Sequence, residues 1–299
     1  MRVLVIGSKG FIGSHVLKHF KAMNHEVYGA DVVVDYTSKN YFHVDSVKTG
    51  FKEIFERESF DLCINCSGAG NVSESLVQPL RDFRLNTVNV FEILEAIRKH
   101  NPDCKMINLS SAAVYGNPKS LPVKESQDCH PVSPYGMHKL YSERICDEFH
   151  RFFNLKTLSL RIFSAFGEGL HKQLFWDLFK KSLESNTIEL FGTGKESRDF
   201  IYIKDLVSLI ELVSLNAKFD GRPINAACGK EIIIQNAVQT FLSFWNPKVK
   251  VRFTGRERQG DPERWLGDVS KIEALGFSQK YSLEEGLSNY VSWLRKEKQ

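Results

Sequence analysis

The sequence lacks several features that would place it in common protein classes. It contains no apolar stretch approaching the roughly 20 residues that a bilayer-spanning helix needs, so we expect no membrane contact. It has no long run of like charges, and the formal net charge of +4 is spread along the chain, so we expect no nucleic-acid partner. A signal-peptide pattern is missing too, because a strand-like segment begins at once at residues 3–6. We therefore predict a cytoplasmic protein.

Metal-ligand patterns are also scarce. The six cysteines and nine histidines are scattered, without an H-E-x-x-H arrangement. Cys63 and Cys66 form a C-x-x-C, but they fall in a strand-like segment, where residues three apart face opposite sides of a sheet. A second cysteine pair that would complete a tetrahedral site is absent. We therefore expect buried thiols in a reducing compartment and no metal.

The chain does contain an ordinary globular composition, with 42% hydrophobic and 25% charged residues among 299. Apolar strand-like segments alternate with amphipathic helical ones up to about residue 165, which predicts an α/β fold with a parallel sheet wound on both faces. Beyond that point the elements become shorter and less regular. This loosening predicts a smaller C-terminal α/β lobe that closes over the carboxyl edge of the sheet, where such sheets bind ligands.

A glycine-rich turn joins the first strand to the first helix. Gly7 permits a tight turn, Gly10 lets backbone N–H groups approach a pyrophosphate, and Gly13 lets helix and strand pack closely. Strand, glycine turn and helix together predict a Rossmann-like dinucleotide site. We assign the cofactor to the turn formed by Gly7, Gly10, Phe11, Ile12 and Gly13.

The residue at the end of the second strand indicates whether the site prefers NAD or NADP. Asp31 follows that strand, and a carboxylate there accepts both hydroxyls of an adenosine ribose and repels a 2′-phosphate. This favours NAD, although Lys9 in the glycine turn leaves NADP open. A short third strand is predicted over residues 41–45, and Asp45 at its end and Ser46 after it are placed to meet the adenine edge. The domain division predicted from these elements is an NAD-binding domain over residues 1–165, rejoined around 199–227, and a substrate-binding lobe over 166–299.

Later strands also end in small or polar residues. Ser67 and Gly68 follow the fourth strand and suit close passage of the cofactor's middle section. A long helix is predicted over residues 79–99, with Pro79 in its first turn. The fifth strand leads to Ser111, and a proline-containing loop then delivers the chain to a further helix.

That further helix carries Tyr135 and Lys139, which lie four residues apart and so share one face. A free tyrosine has a pKa of about 10, which makes it a poor proton shuttle at neutral pH. An ammonium about 4 Å away, at an effective dielectric constant of about 20, is worth about 4 kcal/mol. That energy lowers a phenol pKa by about three. The pair therefore predicts a general acid/base, while a packed tyrosine beside a solvated lysine is the alternative.

Taken in order, these motifs resemble the extended short-chain dehydrogenase/reductase family, and within it the NAD-dependent epimerase/dehydratase group that acts on nucleotide-linked sugars. The resemblance covers nearly the whole chain. Its remaining motifs are residues 72–75 with Pro79, Asn86 with Asn89, and residues 111–116, 133–136, 160–163, 198–202 and 260–262.

The resemblance implies roles for individual residues. Ser111 holds the sugar hydroxyl or carbonyl, Tyr135 exchanges its proton, and Lys139 binds the nicotinamide ribose while lowering the pKa of Tyr135. Asn86 belongs to the cofactor site. The implied substrate-binding residues are Ser111, Ser164 (where many members have an asparagine), Arg198 and Arg258, the two arginines gripping the nucleotide diphosphate.

Three functions remain open at this point. The first is a nucleotide-sugar epimerase that removes and returns a hydride at C4 through a 4-keto intermediate. The second is a nucleotide-sugar 4-ketoreductase that uses NADH or NADPH, towards which Ser164, Lys9 and the short chain point. A non-catalytic dinucleotide sensor is the third. Ala112 and Ala113 fill the positions of the acidic pair of 4,6-dehydratases, so dehydration is not expected. The resemblance further implies a homodimer through a four-helix bundle made by the helix over residues 79–99 and the Tyr135 helix.

Overall fold

The computed structural model describes residues 1–46, 48–256, 260 and 262–297. Its strands are, in chain order, β1 (Arg2–Ile6), β2 (Glu26–Asp31), β3 (Tyr41–His43), β4 (Leu62–Asn65), β5 (Lys105–Ser111), β6 (Thr157–Ile162), β7 (Ser164–Phe166), β8 (Thr187–Leu190), β9 (Ser197–Arg198), β10 (Phe200–Tyr202), β11 (Pro223–Ala226), β12 (Ile232–Ile233) and β13 (Lys250–Phe253). Its α-helices are α1 (Phe11–Ala22), α2 (Phe51–Arg57), α3 (Val72–Val77), α4 (Pro79–Phe83), α5 (Asn89–His100), α6 (Pro134–Phe153), α7 (Gln173–Glu184), α8 (Ile203–Asn216), α9 (Ile234–Trp245), α10 (Ser270–Ala274) and α11 (Leu283–Glu297).

Seven strands form one parallel sheet in the order β11-β6-β5-β4-β1-β2-β3. Its central strands are apolar at nearly every position because helices cover both faces, so neither face meets water. Alternate residues of β1 divide between two cores: Val3 and Val5 pack on the face shared with α1, and Leu4 and Ile6 on the face shared with α2, α5 and α6. The predicted Rossmann-like, doubly wound α/β fold is confirmed.

The two cysteines of the C-x-x-C lie on opposite faces of this sheet. Cys63 belongs to one core, and Cys66 packs against the other. Burial raises the pKa of both thiols.

The predicted helix over residues 79–99 is divided in the structure. α4 is followed by a π-helical turn over Arg84–Val88, which leads directly into α5. A π turn fits one extra residue into a helical turn and is frequent at functional sites. Two polar residues of this turn make tertiary hydrogen bonds: Asn86 Nδ2 donates to Ala69 O, and Thr87 Oγ1 donates to His138 O. The periodicity of apolar residues could not predict the π turn, because it indicates only which face of a helix is buried.

The C-terminal part of the chain adds small sheets beside the main one. β8 pairs in parallel with β13, β7 with β10, and β9 is antiparallel to β12. Within the same part of the chain, β11 becomes the seventh strand of the main sheet beside β6. No helix in the described ranges has the length and apolarity needed to cross a membrane. The two-domain division stays a prediction.

Candidate active site

The glycine turn has the geometry that a dinucleotide site needs. Gly7 has a φ of +79°, and a Cβ on it would lie 2.7 Å from Ser67 N. A Cβ on Gly13 would lie 2.0 Å from Gly7 O, so only glycine lets α1 approach the turn this closely. Gly10 caps α1 without a side-chain bond, which leaves the first N–H groups of the helix able to bind an anion. Ser8 Oγ is buried with no hydrogen-bond partner among the described residues. These features fit a bound pyrophosphate.

Asp31 stands at the carboxyl end of β2, where the ribose was predicted. Its Oδ2 accepts a hydrogen bond from Lys9 N at 2.8 Å, which ties the carboxylate to the glycine turn. The Lys9 ammonium is paired with Asp35 and lies 5.1 Å from the centre of the Tyr41 ring. Lys9 is therefore neutralised, which weakens the reason for keeping NADP open.

We expect Asp31→Asn to weaken NAD binding by about tenfold to a hundredfold, the value of a lost charged hydrogen bond of about 1.5–3 kcal/mol. Discrimination against NADP should fall at the same time, because the repelling charge is gone. Calorimetric Kd values for both dinucleotides on cofactor-free protein give the answer. As a matched control, Asp35→Asn removes the ion-pair partner of Lys9. This variant should bind NADP more strongly and NAD as the wild type does. An unchanged NAD Kd in Asp31→Asn would remove Asp31 from the ribose site.

The predicted adenine contacts stay a prediction. Asp45 and Ser46 follow β3, both are exposed, and Asp45 Oδ1 accepts a hydrogen bond from Lys48 N at 2.7 Å. β3 itself ends at His43, two residues earlier than predicted.

Ser111 and Tyr135 meet at the carboxyl edge of the sheet. Ser111 ends β5, and its Oγ accepts a hydrogen bond from Ala113 N at 3.1 Å. α6 begins at Pro134, where Ser133 Oγ caps the helix by accepting from Gly136 N. The cap places Tyr135 in the first turn of α6, and its hydroxyl forms a side-chain hydrogen bond with Ser111.

Lys139 lies one turn further along α6 and is buried. Its Nζ donates to Leu109 O at 2.9 Å. A Cβ on Gly68 would lie 3.4 Å from Lys139 Nζ and 2.4 Å from Asn86 Oδ1, so these three predicted residues meet at one point. Asn86 Oδ1 is buried without a hydrogen-bond partner in the described part of the chain. An orphaned acceptor beside a buried ammonium fits a bound nicotinamide ribose, which carries hydroxyl donors.

The predicted pKa of Tyr135 is wrong in direction. Burial raises the pKa of the phenol, the hydrogen bond from Ser111 opposes that rise, and the Asp82 carboxylate adds to it. Burial also lowers the pKa of Lys139 to about 8. A fixed ammonium charge lowers the pKa of a solvated phenol, whereas in this site burial removes solvent from both the phenol and the ammonium.

The predicted substrate residues lie on neighbouring short strands. Ser164 begins β7, and its backbone N–H donates to Asp199 O at 2.9 Å. Arg198 ends β9, and its guanidinium lies 5.5 Å from the centre of the Trp265 ring. Arg258 lies outside the described residues. The pairing of β7 with β10 places Ser164 opposite Phe200, two residues after Arg198.

A buried hydrogen-bond chain was missed by the sequence reasoning. Ser67 Oγ donates to Asn65 Oδ1 at 2.6 Å, and Asn65 Nδ2 donates to Asn108 Oδ1 at 3.1 Å. Asn108 Nδ2 donates to Ser142 Oγ at 3.1 Å, whose hydroxyl donates to Lys139 O at 2.7 Å. The signal was present, because asparagines inside apolar strands are costly to bury unpaired.

Fold and site together define a dinucleotide-dependent enzyme with a Rossmann-like sheet. The chain matches the model of the NAD dependent epimerase/dehydratase family over residues 3–227 and belongs to that family. The expected cofactor, NAD, is the one that gives the family its name.

Relatives and solved structures match along the whole chain. A putative UDP-glucose 4-epimerase of Methanocaldococcus jannaschii is 28% identical over 311 residues, covering 98% of this chain and 98% of the relative. The UDP-glucose 4-epimerase of Thermotoga maritima, solved with UDP-glucose, is 25% identical with a TM-score of 0.91 and covers 100% of both chains. A UDP-glucuronic acid 4-epimerase from Bacillus cereus, solved with UDP-glucuronic acid and NAD, is 25% identical with a TM-score of 0.90, covering 99% of this chain and 100% of the other.

Proposed function

We propose that this protein is an NAD-dependent epimerase that inverts C4 of a UDP-linked sugar. The observation that carries the proposal is the meeting of Ser111, Tyr135 and Lys139 at the carboxyl edge of the sheet, next to Gly68. A phenol joined to a serine hydroxyl, with a buried ammonium one helical turn away, is equipped to move a proton on and off a sugar hydroxyl. Relatives solved with UDP-sugars support the choice of nucleotide.

NAD, when bound, supplies the hydride acceptor and donor for C4 of the sugar. Tyr135 takes the proton of the C4 hydroxyl and later returns it. Ser111 Oγ lies within hydrogen-bond reach of that phenol and orients the same sugar oxygen. Lys139 is buried one helical turn from Tyr135, and in the proposed mechanism its ammonium stabilises the phenolate that takes up the sugar proton, against the burial that raises the pKa of Tyr135. Only glycine fits at position 68, beside Lys139, because a Cβ there would clash with Asn86.

The diphosphate is assigned to Arg198, whose guanidinium lies over Trp265. A planar guanidinium suits a phosphate because it presents parallel N–H donors and stays charged. Arg258 is assigned to the same diphosphate on the family resemblance alone.

The direct test is incubation of the purified protein with UDP-glucose, UDP-N-acetylglucosamine, UDP-glucuronic acid and the matching 4-keto sugars. An epimerase converts a UDP-sugar to its C4 epimer without added NADH and without net change in absorbance near 340 nm. A ketoreductase, the alternative, consumes added NADH or NADPH with a 4-keto sugar. Purified epimerase should also carry about one NAD per chain. No turnover in either assay would reject both enzymes and favour the sensor.

The homodimer is proposed from an exposed apolar surface. Large apolar side chains on α4, α5 and α6 are exposed: Leu80 (63%), Phe91 (43%), Tyr141 (43%), Phe152 (72%) and Phe153 (46%). Large exposed apolar side chains on three helices are the kind of surface that an interaction site uses. α5 packs against α6 in the chain, so two copies joined through these helices form a four-helix bundle.

We expect Phe91→Glu to weaken dimerisation by about 100-fold, because a two-fold interface contains each substitution twice and must desolvate both charges. Sedimentation velocity over a range of concentrations measures the dimer Kd. The matched control is Phe191→Glu, which alters another exposed phenylalanine (61%) after β8 and should leave the Kd unchanged. Equal Kd values for wild type and Phe91→Glu would exclude this surface.

A further inference from the structure

Two buried asparagines lie side by side in the main sheet. Asn65 of β4 and Asn108 of β5 are partners in the parallel register, and they are 2% and 1% exposed. The residues two positions earlier, Cys63 and Met106, belong to the core shared with α5 and α6, so both asparagines face the same apolar core. Leucines would fill this space without a polar group to satisfy, whereas an unpaired buried amide is costly. Packing alone therefore does not account for the pair.

Asn65 holds the loop that follows β4. Its Oδ1 accepts hydrogen bonds from Ser67 N at 3.2 Å and from Ser67 Oγ at 2.6 Å. This loop borders the glycine turn, since a Cβ on Gly7 would lie 2.7 Å from Ser67 N. It then leads to Gly68, where a Cβ would lie 3.4 Å from Lys139 Nζ. Asn65 thus fixes backbone that runs from the glycine turn towards the buried lysine.

Asn108 holds α6 beside the same lysine. Its Oδ1 accepts a hydrogen bond from Asn65 Nδ2, and its Nδ2 donates to Ser142 Oγ at 3.1 Å. The Ser142 hydroxyl donates to Lys139 O at 2.7 Å. The next residue of β5, Leu109, accepts a hydrogen bond from Lys139 Nζ at its carbonyl oxygen, at 2.9 Å. Two adjacent residues of β5 therefore fix both the backbone and the ammonium of Lys139.

We propose that Asn65 and Asn108 are positioning residues, which set the distance between the Ser67–Gly68 loop and Lys139 and thereby the affinity for the nicotinamide half of NAD. The inference rests on the proposed function, with the nicotinamide ribose beside Lys139. Hydrogen bonds suit this task because they fix a direction as well as a distance, and a fully satisfied buried network specifies one arrangement. Without the amide pair, this hydrogen-bonded link between the loop and α6 is lost, so a ligand that touches both sides binds less tightly.

The test is a double variant, Asn65→Leu with Asn108→Leu, in the full-length protein. It removes both amides, so neither leaves the other unpaired, and the midpoint of urea unfolding should stay near that of wild type. Calorimetry on cofactor-free protein then measures the Kd values for NAD and for ADP. We expect NAD to bind about tenfold more weakly, because a displaced Lys139 loses one charged hydrogen bond of about that value. ADP lacks the nicotinamide ribose and should bind as it does to wild type.

The matched control is Met106→Leu, which changes the same face of β5 while nearly keeping the side-chain volume, so the NAD Kd should stay within about twofold of wild type. A wild-type NAD Kd in the double variant overturns the proposal, and so does an equal loss of NAD and ADP affinity, which would mean that the whole site is disturbed. If the double variant does not fold, or unfolds at a much lower urea concentration, Ser142→Ala breaks the link at Lys139 O alone and is judged by the same two Kd values. Binding needs no turnover, so the proposed function can fail separately.

Discussion

Replacing Tyr135 by phenylalanine is expected to lower turnover of a UDP-sugar by about 10³-fold, because the change removes the only proposed proton shuttle, and positioned acid/base groups contribute about 10²–10⁴. NAD binding should persist, since the ring and the α6 backbone remain. Turnover is followed by separating the two epimers, and NAD content by the absorbance of the extracted cofactor. The KM should change little, because the loss falls on the chemical step.

The matched control for that substitution is Tyr141→Phe. Tyr141 lies on the same helix, but it is 43% exposed and belongs to the proposed dimer surface. Its hydroxyl has no part in the proposed chemistry, so turnover should stay within about twofold of wild type. If Tyr135→Phe kept wild-type turnover, both enzyme hypotheses would be rejected. If it lost NAD as well, the substitution would have disturbed the site as a whole.

The fold was largely predictable because strands, helices and glycine turns each follow from a local pattern in the sequence. Apolar strands with glycine or small polar residues at their ends, such as β1 with Gly7, follow directly from burial on both faces and close backbone approach. The π turn at Arg84–Val88 was not predictable in this way. It depends on hydrogen bonds from Asn86 and Thr87 to partners 17 and 51 residues away.

The proximity of the candidate residues could be predicted from the sequence better than their electrostatics could. Spacing alone places Tyr135 and Lys139 on one face of a helix, and the structure brings Ser111 and Gly68 to the same edge. The pKa of the phenol was predicted in the wrong direction, because desolvation depends on what surrounds a group in three dimensions. For the same reason Asp82, which is distant in sequence from Tyr135, could not be connected to it beforehand.

Next to Ser111 in the chain lies a buried ion pair that joins α6 to β6. Glu143 accepts from Arg161 Nη2 at 2.7 Å and from Arg161 Nε at 3.0 and 3.2 Å, and each side chain is 5% exposed. Ser110, directly before Ser111, donates its hydroxyl to Glu143 Oε1 at 2.5 Å. The Arg161 guanidinium also lies 4.7 Å from the centre of the Tyr115 ring. The pair therefore supports the end of β5 on which Ser111 stands.

We expect Glu143→Gln to lower the free energy of unfolding by about 3–5 kcal/mol, because it leaves the Arg161 charge buried and uncompensated. The surface control Glu95→Gln loses ion pairs to Arg98 and Lys99 and should cost at most about 1 kcal/mol. Urea unfolding followed by circular dichroism measures both. The double variant Glu143→Met with Arg161→Met should recover most of the loss, since neither charge of this pair then remains buried. A loss below about 1 kcal/mol in Glu143→Gln would show that water or rearrangement compensates Arg161, and the support of Ser111 would then have to come from elsewhere.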